Sequence, residues 1–216
     1  MPITVAIIGA GPLGRWLALA AARAGYRVYL EDVMPANLHH AQEYLRTELG
    51  PEALGGSGFR GLKSETWGTQ QPPTLAAKTK ARRGWGTEFA GVQFVSTIED
   101  AVREADLAID CVPDELESKL EIFCLLDRMA PPRTVLATPT MRLSIADLAA
   151  CTYRADKCVA IVAEAASLAG DAGREVLLRT TSKTSAETAD LVRSFWERLG
   201  FSARIECDPD ELSLGG

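Results

Sequence analysis

Near the amino terminus, Gly9-Ala10-Gly11-Pro12-Leu13-Gly14 has the spacing G-x-G-x-x-G, a turn whose backbone can approach a diphosphate closely. It follows the apolar run Ile3 to Ile8 and opens the alanine-rich segment Leu13 to Gly25, so it reads as a strand-to-helix turn. Gly9 permits the tight bend, Gly11 lets backbone N–H groups reach phosphate oxygens, and Gly14 lets the helix pack against the strand. Pro12 and Leu13 fall in the first helical turn, whose unpaired donors and positive dipole end attract an anion. The next apolar run, Arg27 to Leu30, leads into Glu31 and Asp32. An acid there accepts hydrogen bonds from a ribose and repels a 2′-phosphate, which predicts NAD rather than NADP. Asp32 is the expected ribose ligand, with Glu31 the alternative register; FAD, which uses a similar turn, is the minor competitor.

These residues need a sheet and helices to position them, and strands and helices alternate along most of the chain. That alternation predicts an α/β fold, a doubly wound Rossmann-type sheet that is mostly parallel. The expected strands are Ile3 to Ile8, Arg27 to Glu31, Val92 to Val95, Leu107 to Val112, Thr134 to Ala137, Cys158 to Ala163, Arg174 to Thr180 and Ser202 to Cys207. Helices are expected over Pro35 to Leu49 and, with Leu116, Leu120, Phe123 and Leu126 on one face, over Asp114 to Met129. Thr97, Ser144 and Ser185 read as N-caps, the last for a helix ended by Gly200. Residues 1–208 form the expected nucleotide-binding domain and 209–216 a flexible tail. Within it, 50–91 is an excursion rich in Gly, Pro and Thr, without clear periodicity, and reads as a flap or loop. It carries Trp67, Trp85 and the cations Lys78, Lys80, Arg82 and Arg83, which could grip phosphates.

The chain has 216 residues, 47% of them hydrophobic, and a formal charge of −6. That balance supports a globular protein and argues against general nucleic-acid binding. No apolar stretch is long enough to cross a bilayer and no signal peptide is evident, so a cytoplasmic setting is expected. The five cysteines, Cys111, Cys124, Cys151, Cys158 and Cys207, are scattered and read as small buried hydrophobes rather than disulfides or metal ligands; no metal site is expected.

Val5 to Gly14, Ala105-Asp106-Leu107-Ala108-Ile109-Asp110-Cys111-Val112-Pro113-Asp114, Ala130 to Thr138, Leu143-Ser144-Ile145 and Thr184 to Thr188 follow one another in an order that resembles the NAD-binding domain of the L-3-hydroxyacyl-CoA dehydrogenase family. The resemblance runs from Ile3 to about Asp208, outside the excursion. It implies an NAD-dependent oxidoreductase of fatty acid metabolism, acting on a small-molecule substrate, a hydroxyacyl thioester or a related small hydroxy or oxo compound. It also implies that Val112, Pro113 and Asp114 lie beside the cofactor and that the excursion is an arm that helps hold coenzyme A. Thr138, at the carboxyl end of the fifth strand, is expected to present its hydroxyl to nicotinamide or substrate, or else to start the turn before Pro139.

The departures from that pattern bear on catalysis. The family's general-base histidine falls on Val162, its asparagine on Ala165, its substrate-orienting serine on Met141, and the glutamate partnering the histidine on or beside Arg174 and Glu175. The two histidines, His39 and His40, follow the second strand, toward the adenosine end of a dinucleotide. Glu164, two residues past Val162, would project to the same side of an extended strand and is the expected proton-transfer group, with Glu175 retaining the partner glutamate's place. Asp171 and Tyr153 are weaker candidates. Asp110 is expected near the sheet edge as a hydrogen-bonded strand-end acid. The family's separate helical domain has no counterpart in this sequence, and an apolar surface left along the site predicts a homo-oligomer. The alternative function is a catalytically reduced NAD-binding or interaction protein of the same fold.

Overall fold

The computed structural model describes residues 3–49, 87–89, 91–162 and 175–208. Its elements are β1 (Thr4–Ile8), α1 (Pro12–Arg23), β2 (Arg27–Glu31), α2 (Pro35–Leu49), β3 (Thr87–Phe89), β4 (Val92–Val95), α3 (Ile98–Val102), β5 (Leu107–Asp110), α4 (Leu116–Met129), β6 (Val135–Pro139), α5 (Ile145–Ala150), β7 (Cys158–Val162), β8 (Glu175–Thr180), α6 (Ala186–Arg198) and β9 (Ser202–Cys207). The strands form one sheet in the order β3-β4-β2-β1-β5-β6-β7-β8-β9. From β4 to β7 every pairing is parallel. β3 and β8 run antiparallel to β4 and β7, and β9 runs parallel to β8. The parallel stretch is the doubly wound dinucleotide-binding order, and it reverses between β1 and β5, where a crevice opens beyond the carboxyl ends of the strands.

Continuous apolar runs such as Val5-Ala6-Ile7-Ile8 suit a strand covered on both faces, and all of β1 is buried. Alternate residues feed two cores. Val5 and Ile7 join Leu17, Leu45, Phe195 and Trp196 under α1, α2 and α6; Ala6 and Ile8 join Phe123, Leu126, Ile145 and Leu148 under α3, α4 and α5. The expected caps form: Thr97, Ser144 and Ser185 accept from the N–H groups of Asp100, Ala146 and Thr188.

Several sequence expectations shift. β3 lies inside the excursion, where no strand was expected; residues 50–86, with both tryptophans and the basic cluster, lie outside the described residues. β5 stops at Asp110 rather than Val112, and α4 begins at Leu116 rather than Asp114. The chain leaves the sheet there because the Asp110 carboxylate captures the Val112 N–H at 2.9 Å. On α4 the buried stripe is Lys119, Phe123 and Leu126, while Leu116 is 46% exposed. The cysteines are not uniformly buried: Cys158 is, Cys111 and Cys151 are half-buried, and Cys124 and Cys207 are exposed. Burial, then the neighbouring Cys124, pushes the Cys151 thiol up to about 12, and burial pushes Cys158 up to about 11. Among the described residues no helix is long and apolar enough to cross a membrane, and no cluster of His, Cys, Asp and Glu could hold a metal ion.

Among the described glycines, the closest packing is in the turn after β1. Gly9 has φ of +103°, and a Cβ there would sit 3.2 Å from the Cys111 backbone. A Cβ on Gly14 would fall 1.8 Å from the Gly9 carbonyl oxygen, an overlap of two rigid backbones. Gly14→Ala is therefore expected to cost about 1–3 kcal/mol, read as a lower urea midpoint; an unchanged midpoint would show that the turn relaxes freely.

Candidate dinucleotide site

The crevice between β1 and β5 is a cavity of about 610 Å³. Its walls bring together Gly9, Gly11, Pro12, Leu13, Asp32, Val112, Pro113 and Asp114, with Asn37, Cys111, Pro139, Thr140 and Met141 beside them. Of the cofactor-binding residues expected from the sequence, Gly14 and Thr138 alone fall outside this lining. Gly14 is the packing contact just described.

One wall is the amino end of α1. Pro12 is its first residue and Gly11 its N-cap, with no side-chain cap hydrogen bond. A Cβ on Gly11 would meet nothing within 4 Å. Unlike α3, α5 and α6, this helix start leaves its donors to whatever occupies the cavity, as a diphosphate requires. Asp32 fixes the wall's shape. One carboxylate oxygen accepts from the Ala10 N–H at 2.9 Å and Asn37 Nδ2 at 3.0 Å, the other from the Met34 N–H at 2.8 Å. Asp32 thus ties the glycine turn to the end of β2 while remaining in the cavity lining.

Glu31, the alternative register, is 5% exposed and points away from this wall, onto the face shared by Ile8 and Tyr29. Burial, then the Asp32 carboxylate beside it, pushes its carboxyl up to about 7.

The opposite wall rests on a buried ion pair that sequence reasoning missed. Lys119 Nζ donates to Asp110 Oδ2 at 3.1 Å, Thr138 Oγ1 at 2.9 Å and the Val112 carbonyl at 3.4 Å. Thr138 donates in turn to Asp110 Oδ2 at 2.9 Å. The Lys119 and Asp110 side chains are 1% and 0% exposed. Burial pushes the Asp110 carboxyl up, while Lys119, the Val112 N–H and the Thr138 hydroxyl pull it back. The N–H and the C=O of Val112 are therefore both held, and with them the lining residues Val112 and Pro113. This corrects one expectation and extends another. Thr138 does not present its hydroxyl to the cavity: it lies within β6, fully buried, its hydroxyl committed to Asp110 and Lys119. Asp110 accepts from a lysine as well as from the chain that follows it. The available signal was a cation inside the apolar stripe Lys119, Phe123, Leu126.

Asp114 accepts from the Met141 N–H at 3.1 Å through Oδ2, whereas its Oδ1 is buried with no partner among the described residues.

The catalytic candidates are placed less completely. Glu164, Ala165 and Asp171 lie outside the described residues. Val162 closes β7, at the edge where a proton-transfer group would stand. Glu175 is exposed and opens β8; because β8 is antiparallel to β7, its start shares that same edge. β8 is two strands from β6, roughly 10 Å at the usual strand spacing. Tyr153 is exposed in the connection entering the start of β7, at the opposite edge, which removes it as a candidate. His39 and His40 are exposed on α2, His39 beside Glu43 at 3.4 Å.

Two measurements test this electrostatic frame. Lys119→Met leaves Asp110 buried without its cation and is expected to cost about 3–5 kcal/mol by chemical denaturation; the double change with Asp110→Asn should recover part of it. Glu31 holds its proton more tightly folded than unfolded. Its contribution to stability is therefore complete below its ordinary value of 4.5 and is lost as pH rises through about 7. Glu31→Gln should raise the melting temperature at about pH 8 and leave it nearly unchanged at about pH 4, and equal shifts at both would contradict this.

Comparison with known proteins agrees with this geometry. Residues 4–59 and 63–203 match the family model described as 3-hydroxyacyl-CoA dehydrogenase, NAD binding domain. A 3-hydroxybutyryl-CoA dehydrogenase of Bradyrhizobium diazoefficiens is 29% identical over 157 residues, 73% of this chain and 46% of that protein. The 5-formyl-3-hydroxy-2-methylpyridine 4-carboxylate 5-dehydrogenase of Mesorhizobium japonicum is 28% identical over 199 residues, 88% of this chain and 54% of that protein. The chain thus spans about half the length of these relatives. The crystal structure of (S)-3-hydroxybutyryl-CoA dehydrogenase from Ralstonia eutropha superposes with a TM-score of 0.72 at 20% identity, covering 96% of this chain and 64% of that one, which shows the shared fold. The chain belongs to the 3-hydroxyacyl-CoA dehydrogenase family, as an NAD-binding domain.

Proposed function

We propose that this chain binds NAD in the crevice between β1 and β5 and serves hydride transfer between NAD and a hydroxyacyl thioester or a related small hydroxy or oxo compound. The observation that carries the proposal is the uncapped start of α1 facing Asp32 and the Val112–Asp114 wall across one cavity. NAD supplies the carbon that accepts or donates hydride. The α1 donors hold the diphosphate, Asp32 takes the adenine ribose, and Asp114 lines the wall beside the cofactor. The proton that accompanies hydride needs its own carrier; Glu164 holds that role, with Glu175 orienting it. The setting is cytoplasmic. The exposed apolar side chains Leu116 and Met141, the latter in the cavity wall, suit cover by a substrate chain or by another subunit of a homo-oligomer.

A second reading, an NAD-binding protein with reduced catalysis, is favoured by the apolar Val162 at the end of β7. Calorimetry and turnover separate the two. NAD should bind more tightly than NADP, and Asp32→Ala should weaken NAD about tenfold. With 3-hydroxyacyl-CoA substrates, NADH formation that falls in Glu164→Gln supports the enzyme; tight NAD binding without turnover supports the second reading. Failure of NAD to bind at all would overturn both.

A further inference from the structure

The sheet ends at β9, and the direction of its hydrogen bonds shows what its outer edge offers. The Asp208 N–H donates to the Thr180 carbonyl at 2.8 Å, and the Thr180 hydroxyl to the Glu206 carbonyl at 3.3 Å. The even-numbered peptides of β9 thus face β8, so the intervening Ile205 turns its N–H and C=O outward. Among the described residues no strand pairs with that edge. Side chains alternate the other way. Ala203 and Ile205 pack against the core under α6, while Arg204 and Glu206 stand on the opposite face, 76% and 47% exposed and paired at 3.1 Å.

Charges on an edge strand ordinarily discourage association. Here their spacing does the reverse for one partner. If a second β9 approaches antiparallel with Ile205 opposite Ile205, then Arg204 falls opposite the second copy's Glu206, and its Glu206 opposite the second copy's Arg204. The four charges alternate in sign, and the two outward Ile205 peptides exchange both hydrogen bonds, as directly opposed residues in an antiparallel ladder do. The two isoleucine side chains meet on the α6 face. A two-fold axis through residue 205 satisfies every one of these contacts, and a one-residue slip in either direction places a charge opposite the apolar face.

We infer that β9 is a self-complementary docking edge for a second copy of this chain, joining two sheets into one through an antiparallel β9–β9 pair. A strand edge buries little area, so the dimer is weak and its population depends on concentration.

Sedimentation equilibrium across the micromolar range, with circular dichroism to confirm the fold, tests this on the full chain. The wild type should dimerise. Arg204→Glu alone sets acid opposite acid, and Glu206→Arg alone sets base opposite base; each should raise the dissociation constant about tenfold or more. The double reversal Arg204→Glu/Glu206→Arg should dimerise like the wild type, and an equimolar mixture of the two single variants should form a heterodimer that neither forms by itself. A monomer at every concentration, a dimer indifferent to the single reversals, or a double reversal that fails to restore association would each overturn the inference.

Discussion

A lysine ammonium with no access to water sits beneath the candidate cavity. Lys119 is tolerated because Asp110 lies 3.1 Å away, with Thr138 and the Val112 carbonyl taking its remaining protons. Desolvating two charges is expensive, and their attraction offsets that cost only when every donor and acceptor is matched. The match here is close to complete, and its geometric product is a fixed Val112 peptide. Cys111 in turn sits where any side chain on Gly9 would touch it. One buried pair therefore sets how closely the β5 wall approaches the glycine turn, and so the width of the crevice proposed for the dinucleotide.

Across the crevice, Asp32 plays a comparable part with different means. Its carboxylate closes three hydrogen bonds, from Ala10, Met34 and Asn37, yet stays on the cavity surface. A residue expected as a ligand is also a structural tie, so its placement does not depend on the ligand's arrival. Such preorganisation reduces what binding must expend on ordering the site.

Much of this was legible in the residues. The glycine turn, the acid at the end of the second strand and the three polar caps were readable because each depends on local backbone chemistry: positive φ, close approach, unpaired helix donors. Strand identity followed from apolar runs. What escaped was nonlocal. Asp110 and Lys119 are nine positions apart, and their pairing depends on where α4 lands on the sheet. Thr138 looked like a strand-end hydroxyl until β6 proved to continue through Pro139. Leu116 fitted a helical stripe by spacing, but α4 starts at that residue and turns a neighbouring face inward. Short edge strand β3 had no periodicity to announce it, because three residues paired on one side need little hydrophobic patterning.

The reversal of direction at β8 places α6 on the same face as α1. There Trp196 packs edge-on against Phe195 and Phe201, Phe201 meets Trp16 of α1, and Tyr26 leans on Phe195. Arg198 closes the seam by donating to the Ala24 carbonyl and lying over the Tyr26 ring. The Trp196 indole N–H is buried without a partner among the described residues, a local sacrifice accepted for ring packing. An aromatic weld of this kind joins the carboxyl-terminal part of the described sheet to the helix that carries the glycine turn. The weld anchors α1 from behind, while the cavity lining itself comes from the glycine turn and the connections after β2, β5 and β6.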